Sequence, residues 1–310
     1  MSSSPTHISY RDRQTGDLVE EKVPHASILR FLYGSILGNL VLRYVCSRRW
    51  FSRLYRWFLC NGRSSRNRIA PFARDHGIDL EAFESGPFAN FNEFFVRRFR
   101  DGVRDFLGEA TAMPAWAEGV CLAWKQVGAA QPLPIKAEYL TAAALMGDED
   151  RAAPFLNGPA IIIRLRPPDY HRFHFVDEGP VVDRWTVPGA LHSVNPLALR
   201  QQPDILSRNE RQVTLQQSLH FGLLAYVEVG AMAVGRIVQC SEEGHRGAEK
   251  GWFEFGGSTV ALFGVEGAWT PDEDLLQWSE KGVETLLELG TTIAVSGARD
   301  DSISRDEKTT

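Results

Sequence analysis

Cysteine is scarce in this chain, and its spacing excludes two common kinds of small-domain architecture. The four cysteines among 310 residues are Cys46, Cys60, Cys121 and Cys240, and no two of them form a C-x-x-C pair. Closely spaced pairs are typical of zinc sites, and conserved close spacings are typical of disulfide frameworks. We therefore expect neither kind of site. A reducing compartment fits this sequence best.

Two further absences concern secretion and membrane spans. Residues 1–21 are polar and charged and lack the apolar centre of a secretion signal. Uncharged stretches such as 31–42 and 212–227 are shorter than the roughly 20 residues that a spanning helix needs. We therefore expect no secretion signal and no transmembrane span.

Acidic residues are missing from one long segment. Between Val23 and Ala73 there are nine arginines and no aspartate or glutamate, although the net charge of the chain is −5. Apolar residues recur at helical spacing from Ala26 to Phe58, which predicts two amphipathic helices broken near residues 46–49. A basic, aromatic-rich helical surface suits an anionic membrane, where each arginine near the surface contributes about 1 kcal/mol to the free energy of binding. Two alternatives stay open. The helices can pack against the acidic remainder of the protein, or they can bind nucleic acid, although the sequence contains no recognition motif for it.

The pattern changes from helical to strand-like along the chain. A third helix is predicted over residues 64–76, and Asn90 is the predicted cap of a fourth that ends near Gly102. Beyond Thr111, short strand patterns are separated by glycine and proline. The predicted strands are Val120–Val127, Ala160–Arg166, Val181–Val187, Gln212–Gln217, Leu223–Val229, Ala233–Cys240 and the two that flank Ser258, and a short helix is predicted over Leu140–Leu145.

These patterns predict an α+β fold. Residues 1–105 would form an N-terminal amphipathic helical arm that associates with a membrane. Residues 106–299 would form a β-rich catalytic domain that resembles a barrel or a sandwich. Residues 300–310, rich in serine and charge, are predicted to be a disordered tail.

The residues Gly-Gly-Ser-Thr at positions 256–259 lie between two strand patterns. Glycine lets another group approach the backbone closely, so the carbonyl of Gly257 is open to attack. If a base takes the hydroxyl proton of Ser258, the oxygen can add to that carbonyl and convert the amide into an ester. Elimination and hydrolysis then leave a pyruvoyl group at a new N-terminus. The alternative, favoured if only these four residues are considered, is a flexible hairpin.

The stretch 168–175 (PDYHRFHF) is the densest source of bases for such a reaction. His171 and His174 would share one face of a helix, but in a regular strand they point in opposite directions. Both can serve one site only if a turn or bulge lies between them. The alternative is a pair of half-buried structural positions. A metal site lacks a third ligand at a known spacing.

These stretches resemble the phosphatidylserine decarboxylase family, the pyruvoyl-dependent enzymes that convert phosphatidylserine to phosphatidylethanolamine. The resemblance rests on residues 253–260 (FEFGGSTV) and 169–174 (DYHRFH). It extends from about Ile8 to about Val295. Further agreement, in the family's order, comes from 92–98 (NEFFVRR), 194–196 (VNP), 209–211 (NER), 229–231 (VGA) and 234–235 (VG).

The resemblance implies a self-cleaving precursor. The bond between Gly257 and Ser258 would be cut, leaving a β chain of residues 1–257 and an α chain of residues 258–310. Ser258 would become a covalent pyruvoyl group that accepts the electrons released as CO₂ leaves, so neither pyridoxal phosphate nor a metal is expected. His174 would activate Ser258 for cleavage.

The remaining implied roles concern His171 and an acidic residue. His171 would act in decarboxylation as a proton donor or a positioning group. The family's Ser-Pro-Ala-Asp-Gly segment corresponds to residues 115–119, where Trp116 replaces the proline and Glu118 the aspartate. Similar triads accept glutamate, so Glu118 is expected to orient His174. The alternative is a solvated turn, with slow self-cleavage or a degenerate relative.

The expected partners follow from the same resemblance. They are phosphatidylserine in an anionic membrane and the two chains of one precursor, which would stay associated, while a homodimer is left open. The expected location is peripheral, on the cytoplasmic side of the cell membrane. Two other functions stay open: pyruvoyl-dependent decarboxylation of a soluble amino acid such as an aromatic one, and a non-catalytic membrane-surface role.

Overall fold

The structure of the chain, a computed structural model, describes residues 8–21, 26–84, 86–128, 141–202, 204–232, 236–254 and 258–297. Two of the predicted features lie outside these residues. They are the tail from residue 300 and the two glycines at positions 256 and 257.

The strands form three sheets, none of which closes into a barrel within the described residues. The largest has ten strands in the order β11-β7-β8-β9-β13-β5-β4-β15-β1-β2, and two smaller sheets have the orders β10-β12-β6 and β14-β16-β3. The strands are β1 Ser9–Asp12, β2 Leu18–Glu20, β3 Ala112–Pro114, β4 Gly119–Trp124, β5 Ala160–Leu165, β6 Arg172–His174, β7 Gly179–Val187, β8 Arg211–Ser218, β9 Gly222–Val229, β10 Ile237–Gln239, β11 Glu243–Gly244, β12 Glu249–Phe253, β13 Ser258–Gly264, β14 Trp269–Pro271, β15 Glu284–Leu287 and β16 Thr292–Ser296. The predicted α+β class is confirmed, with an open ten-stranded sheet at its centre.

The helices are concentrated before residue 100. They are α1 Ala26–Gly34, α2 Ile36–Val41, α3 Arg49–Leu59, α4 Ile69–His76, α5 Phe91–Phe95, α6 Ala142–Met146, α7 Glu149–Ala152, α8 Pro196–Gln201, α9 Ile205–Arg208 and α10 Glu273–Glu280, with a π-helical turn over Leu42–Cys46 and 3-10 turns over Arg63–Arg68, Leu80–Ala82 and Ala153–Phe155. Asn90 caps α5 as predicted, since its side chain accepts a hydrogen bond from the backbone N–H of Glu93 at 3.0 Å. The helix ends at Phe95, earlier than predicted, and Arg97 then turns inward to the carbonyl of Pro168.

The helical arm has the predicted break near residues 46–49 and a second break at Ser35. Ser35 caps α2 by accepting a hydrogen bond from the N–H of Gly38 at 3.0 Å. A Cβ atom at Gly38 would lie 2.0 Å from the carbonyl oxygen of Phe31, so this close helix crossing requires glycine. Among the described residues, no single helix is long and apolar enough to cross a bilayer. The pair 27–34 and 36–46, bent by 89°, meets the length and composition test only when taken together.

Residues 9–20, placed in the helical region by the sequence analysis, form the hairpin β1–β2 at one edge of the large sheet. Strand β1 pairs in parallel with β15, whereas the other pairs in the large sheet are antiparallel. Arg164 of β5 reaches both Glu21, just after β2, and Glu284 of β15, each at 2.6 Å. The first strands of the chain are therefore bound to the segment that follows Ser258.

The buried Arg164 cluster generates a stability prediction. Replacing Arg164 by methionine leaves Glu21 and Glu284 without their shared cation, and breaking a buried ion pair in this way costs about 3–5 kcal/mol. We therefore expect urea denaturation to give an unfolding free energy lower by about that amount. The control is Arg208→Met, which removes an exposed pair with Asp204 at 3.3 Å and should cost less than about 1 kcal/mol. Equal losses in the two variants would contradict the assigned role of Arg164.

Candidate active site

Ser258 is the first residue of β13, in the interior of the large sheet. All seven residues of this strand are buried. Ser258 lies opposite Leu165 of β5, and the next residue, Thr259, lies opposite Val229 of β9. The strand before it, β12, pairs with β6 and β10 in a different sheet. Strands β12 and β13 therefore belong to different sheets, and no pairing joins them within the described residues.

The hydroxyl of Ser258 is buried and has no hydrogen-bond partner among the residues that the structure describes. A buried polar group without a partner costs about 1–3 kcal/mol, so such groups call for an explanation. A hydroxyl that donates to no other group keeps its proton and lone pairs free for chemistry. This geometry is compatible with a nucleophile.

His171 precedes β6 and is fully buried. Its Nδ1 atom lies 2.9 Å from the carbonyl oxygen of Asp169, and because a carbonyl can only accept, Nδ1 carries the proton. The Nε2 atom then holds a lone pair, and it has no partner within the described part of the chain. The ring packs on Phe95 with centroids 3.8 Å apart. Burial, with the nearby charge of Arg97, lowers the pKa of His171 to about 3, so the ring is neutral.

His174, the last residue of β6, has the same protonation pattern. Its Nδ1 atom lies 2.9 Å from the carbonyl oxygen of Gly247, and no described group bonds its Nε2 atom. Its backbone N–H donates to the carbonyl of Trp116 at 2.9 Å. Burial lowers the pKa of this histidine as well. Both histidines thus present a neutral Nε2 acceptor.

His171 lies just before β6 and His174 is its last residue, and the register irregularity of the β6–β12 pair lies on β12 rather than between the two histidines. The register of β12 against β6 shifts between Glu249 and Gly251. The two rings have different neighbours, because His171 packs on Phe95 and His174 lies between Tyr170 and Phe106.

Glu118 does not meet His174 in this structure, contrary to the expectation from the sequence. Its Oε2 atom accepts hydrogen bonds from Arg104 Nε at 2.9 Å and from the backbone N–H of Leu289 at 3.3 Å. Arg104 also pairs with Glu288 at 3.0 Å. Burial raises the pKa of Glu118, and Arg104 opposes that shift. The position that the expected carboxylate would take beside His174 Nδ1 is occupied by the Gly247 carbonyl.

Arg97 is a site residue to which the sequence analysis gave no role, although it belongs to the stretch 92–98. Its Nη2 atom donates to the carbonyls of Pro168 at 2.6 Å and Asp169 at 3.2 Å. The Asp169 carbonyl is the same one that holds His171 Nδ1. The guanidinium also lies over the rings of Phe83 and Phe94, 4.6 and 4.8 Å from their centroids. Arg97 therefore fixes the loop that positions His171.

Within the described residues, no group of three or more His, Cys, Asp or Glu side chains has the geometry to hold a metal ion.

Comparison with known proteins gives consistent matches over most of the chain. The family model described as phosphatidylserine decarboxylase matches residues 91–285. A protein of Clostridium botulinum (strain Kyoto / Type A2) is 34% identical over 291 residues, which cover 92% of this chain and 98% of the relative. A protein of Desulfitobacterium hafniense is 35% identical over 294 residues, covering 93% and 98%. One from Clostridium kluyveri is 34% identical over 293 residues, covering 93% and 99%. Each of the three is named phosphatidylserine decarboxylase proenzyme.

The buried neutral state of His171 predicts a pH dependence of stability. The folded-state pKa lies near 3, whereas an unfolded histidine titrates near pH 6.5, so only the unfolded chain binds the proton between these values. Stability is therefore complete above about pH 6.5 and is lost as the pH falls towards 3.

His171→Asn keeps a donor for the Asp169 carbonyl and removes this titration. Between about pH 6 and pH 4, we expect the unfolding free energy of the unsubstituted chain to fall more steeply than that of the variant. The difference between the two slopes should be about 1.4 kcal/mol per pH unit. Urea denaturation across this range measures both slopes. Equal slopes would contradict the neutral, buried state of the ring.

Proposed function

The chain belongs to the phosphatidylserine decarboxylase family, and from that membership we propose that it is a carboxy-lyase proenzyme that cuts itself before Ser258 and converts phosphatidylserine to phosphatidylethanolamine and CO₂. The shared name of the relatives supports processing of a precursor. The observation that carries the proposal is the buried Ser258 hydroxyl, which has no partner among the described residues.

The first reaction is the cleavage of the bond between Gly257 and Ser258. His174 Nε2 takes the hydroxyl proton, the Ser258 oxygen bonds to the Gly257 carbonyl carbon, and the amide nitrogen leaves with a proton. Loss of the Ser258 α-proton then forms a double bond between Cα and Cβ and breaks the Cβ–Oγ bond, so that Oγ leaves with Gly257 as its carboxylate. Water then releases ammonia and leaves a ketone at residue 258. Each step uses only this chain and one water molecule.

The second reaction is decarboxylation. The pyruvoyl group formed from Ser258 supplies a carbonyl system that takes up the electron pair left when CO₂ departs. The neutral Nε2 of His171 can accept a proton from the substrate's ammonium group and return a proton to the carbon that has lost CO₂. Burial keeps the His171 ring neutral at physiological pH, so Nε2 holds its lone pair, while the lowered pKa makes the ring a weak base that readily gives a proton back.

Glu118 has an indirect role in this proposal. Its contacts with Arg104 and Leu289 hold the turn 115–119, and the Trp116 carbonyl of that turn accepts the backbone N–H of His174. The Gly247 carbonyl orients the ring itself. Glu118 is therefore a positioning residue for the backbone of His174.

The two products of cleavage would stay together as one protein. Strand β13 of the α chain lies between β5 and β9 of the β chain, and β15 lies between β4 and β1. Cutting before Ser258 removes none of the strand pairs that β13 and β15 form in the large sheet. Association of the chains without a covalent link follows from this interleaving.

We propose a peripheral location on the cytoplasmic side of the cell membrane, and the exposed surface of the arm supports the contact with a membrane. Ten of the seventeen exposed large apolar side chains among the described residues lie within residues 26–59: Ile28, Phe31, Ile36, Leu37, Leu40, Tyr44, Trp50, Leu54, Trp57 and Phe58. Exposed arginines, including Arg30, Arg43 and Arg48, accompany them. An apolar patch of this extent with basic residues suits the headgroup layer of an anionic bilayer.

The arm also packs on the rest of the protein, close to the site. Tyr33 of α1 accepts a hydrogen bond from the backbone N–H of Ser193 at 2.8 Å. A cavity of about 130 Å³ lies between Leu29 of α1, the loop 193–195 and Leu165, the strand partner of Ser258. A lipid headgroup that leaves the membrane surface at α1 would meet this cavity, which is lined by the strand partner of Ser258.

Single substitutions test the proposed reactions. Ser258→Ala and His174→Ala should leave the 310-residue chain uncut, because each removes a reacting group.

His171→Ala should cut normally and release CO₂ from phosphatidylserine at least about a hundredfold more slowly. Mass spectrometry follows cleavage, and labelled CO₂ follows decarboxylation.

Glu118→Gln is the matched control for the histidine variants, since it keeps the shape of a residue with no direct contact to either ring. We expect it to slow cleavage by less than about tenfold. Normal cutting of the Ser258→Ala chain would overturn the assignment of the cut bond. Normal CO₂ release by His171→Ala would overturn the role of that histidine.

The membrane proposal is tested by flotation with vesicles of phosphatidylglycerol or of phosphatidylcholine. We expect the protein to float with the anionic vesicles. A Trp57→Ser and Phe58→Ser double substitution should lower the amount of floated protein about tenfold, because two exposed aromatic side chains that contact the bilayer are lost. The control is Leu219→Ser, at an exposed apolar residue away from the arm. Unchanged flotation of the double variant would reject the arm as the docking surface. Failure of the parent chain to float would favour a soluble amino-acid substrate.

A further inference from the structure

Lys250 of β12 forms a fully buried ion pair with Glu228 of β9. The Nζ atom lies 2.8 Å from Glu228 Oε1 and 2.9 Å from Gln239 Oε1, and both charged side chains are at most 1% exposed. Gln239 Nε2 in turn donates to Glu228 Oε2 at 2.9 Å and to Gln212 Oε1 at 3.0 Å. The ammonium also lies between the rings of Phe173, Phe175 and Tyr226, 5.4 to 5.9 Å from their centroids. These polar contacts join β8, β9, β10 and β12.

Stability alone does not account for this pair. Taking two charges out of water is costly, and apolar residues of similar volume often serve a core as well or better. The surroundings are already aromatic and would accept such residues. Buried pairs that are kept despite this cost can serve to fix one geometry among several.

The pair lies on the Ser258 face of the large sheet. Glu228 is the direct strand partner of Val260, which is two residues after Ser258. Because side chains alternate along a strand and direct partners share a face, Glu228, Val260 and Ser258 project to the same side. Glu228 is thus a diagonal neighbour of Ser258 across β9 and β13.

Lys250 lies on the strand that leads into the cut bond. Strand β12 ends at Phe253, β13 begins at Ser258, and the two belong to different sheets with no pairing between them. The separation of these two strand ends depends on contacts between the sheets. The bond from Lys250 to Glu228 is such a contact, since β9 pairs directly with β13.

We propose that Lys250 and Glu228 are positioning residues for self-cleavage, whose ion pair fixes the end of β12 relative to Ser258. The proposal rests on the proposed cleavage before Ser258. The hydroxyl must reach a carbonyl carried by the chain that leaves β12, and displacements of about 1 Å between reacting groups can cost a hundredfold in rate. Neither side chain takes part in the chemistry.

The test replaces the pair by apolar residues of similar size, Lys250→Met with Glu228→Leu, in the full chain. We expect the thermal unfolding midpoint to stay the same or rise, and self-cleavage to slow at least about tenfold. The material that does mature should keep the parent KM for phosphatidylserine, because the pair does not touch the substrate. Mass spectrometry at timed intervals gives the cleavage rate.

Tyr226→Phe is the matched control in the same region. It removes the hydroxyl that bonds Gln216 and the Val176 N–H but keeps the ring beside Lys250. We expect a lower unfolding midpoint with an unchanged cleavage rate. Should the double variant fail to fold, Gln239→Leu removes the neutral bridge of the network and should slow cleavage at least about threefold.

The outcomes separate the two proposals. If the parent chain is not cut before Ser258, the proposed function fails. If the parent is cut and the double variant, or Gln239→Leu in its place, is cut at the parent rate, the positioning role alone is overturned. Equal slowing in Tyr226→Phe would also overturn it, since general destabilisation would then explain the effect.

Discussion

The structure depends on one constraint, the burial of the Ser258 hydroxyl, our proposed nucleophile, at the first position of an interior strand. Strand β13 has neighbours on both sides, because β5 pairs with it from Ser258 onward and β9 pairs with it from Thr259 onward. The chain can therefore be cut immediately before Ser258 without removing a strand from the sheet. The same position keeps bulk water away from the hydroxyl, so the groups that act on it must come from the protein.

Backbone carbonyls, rather than a carboxylate, orient the two histidines that we propose as bases. Each histidine donates from Nδ1 to a carbonyl oxygen, Asp169 for one and Gly247 for the other. Each Nε2 is left as a neutral acceptor, and burial strengthens that preference. Arg97 acts one step further out by holding the loop that carries the Asp169 carbonyl, and the turn at Glu118 does so by accepting the backbone N–H of His174.

Much of this was predictable from local sequence. The strands that flank Ser258, the cap at Asn90, the break near residues 46–49 and the family itself follow from short patterns, because they depend on neighbouring residues. The exposed apolar and basic surface of the arm follows from helical spacing in the same way. Its second break depends on Gly38 touching Phe31, a contact that becomes apparent only when two helices are placed in space.

The features that local patterns missed depend on contacts between distant residues. The hairpin β1–β2 completes an edge of the large sheet by pairing with β15, some 270 residues away. Glu118 was expected to meet His174, but Arg104 and Leu289 bind its carboxylate, and Leu289 is distant in sequence. The Lys250 network likewise combines four strands, so spacing along the chain gives no sign of it.

The most direct test of the central claim is the mass of the smaller fragment of the mature protein. The account predicts a fragment of residues 258–310 that is lighter by one ammonia than a chain beginning with serine, and that reacts with hydrazine at its first residue. A fragment that begins with an ordinary serine, or a single stable chain of 310 residues, would contradict it.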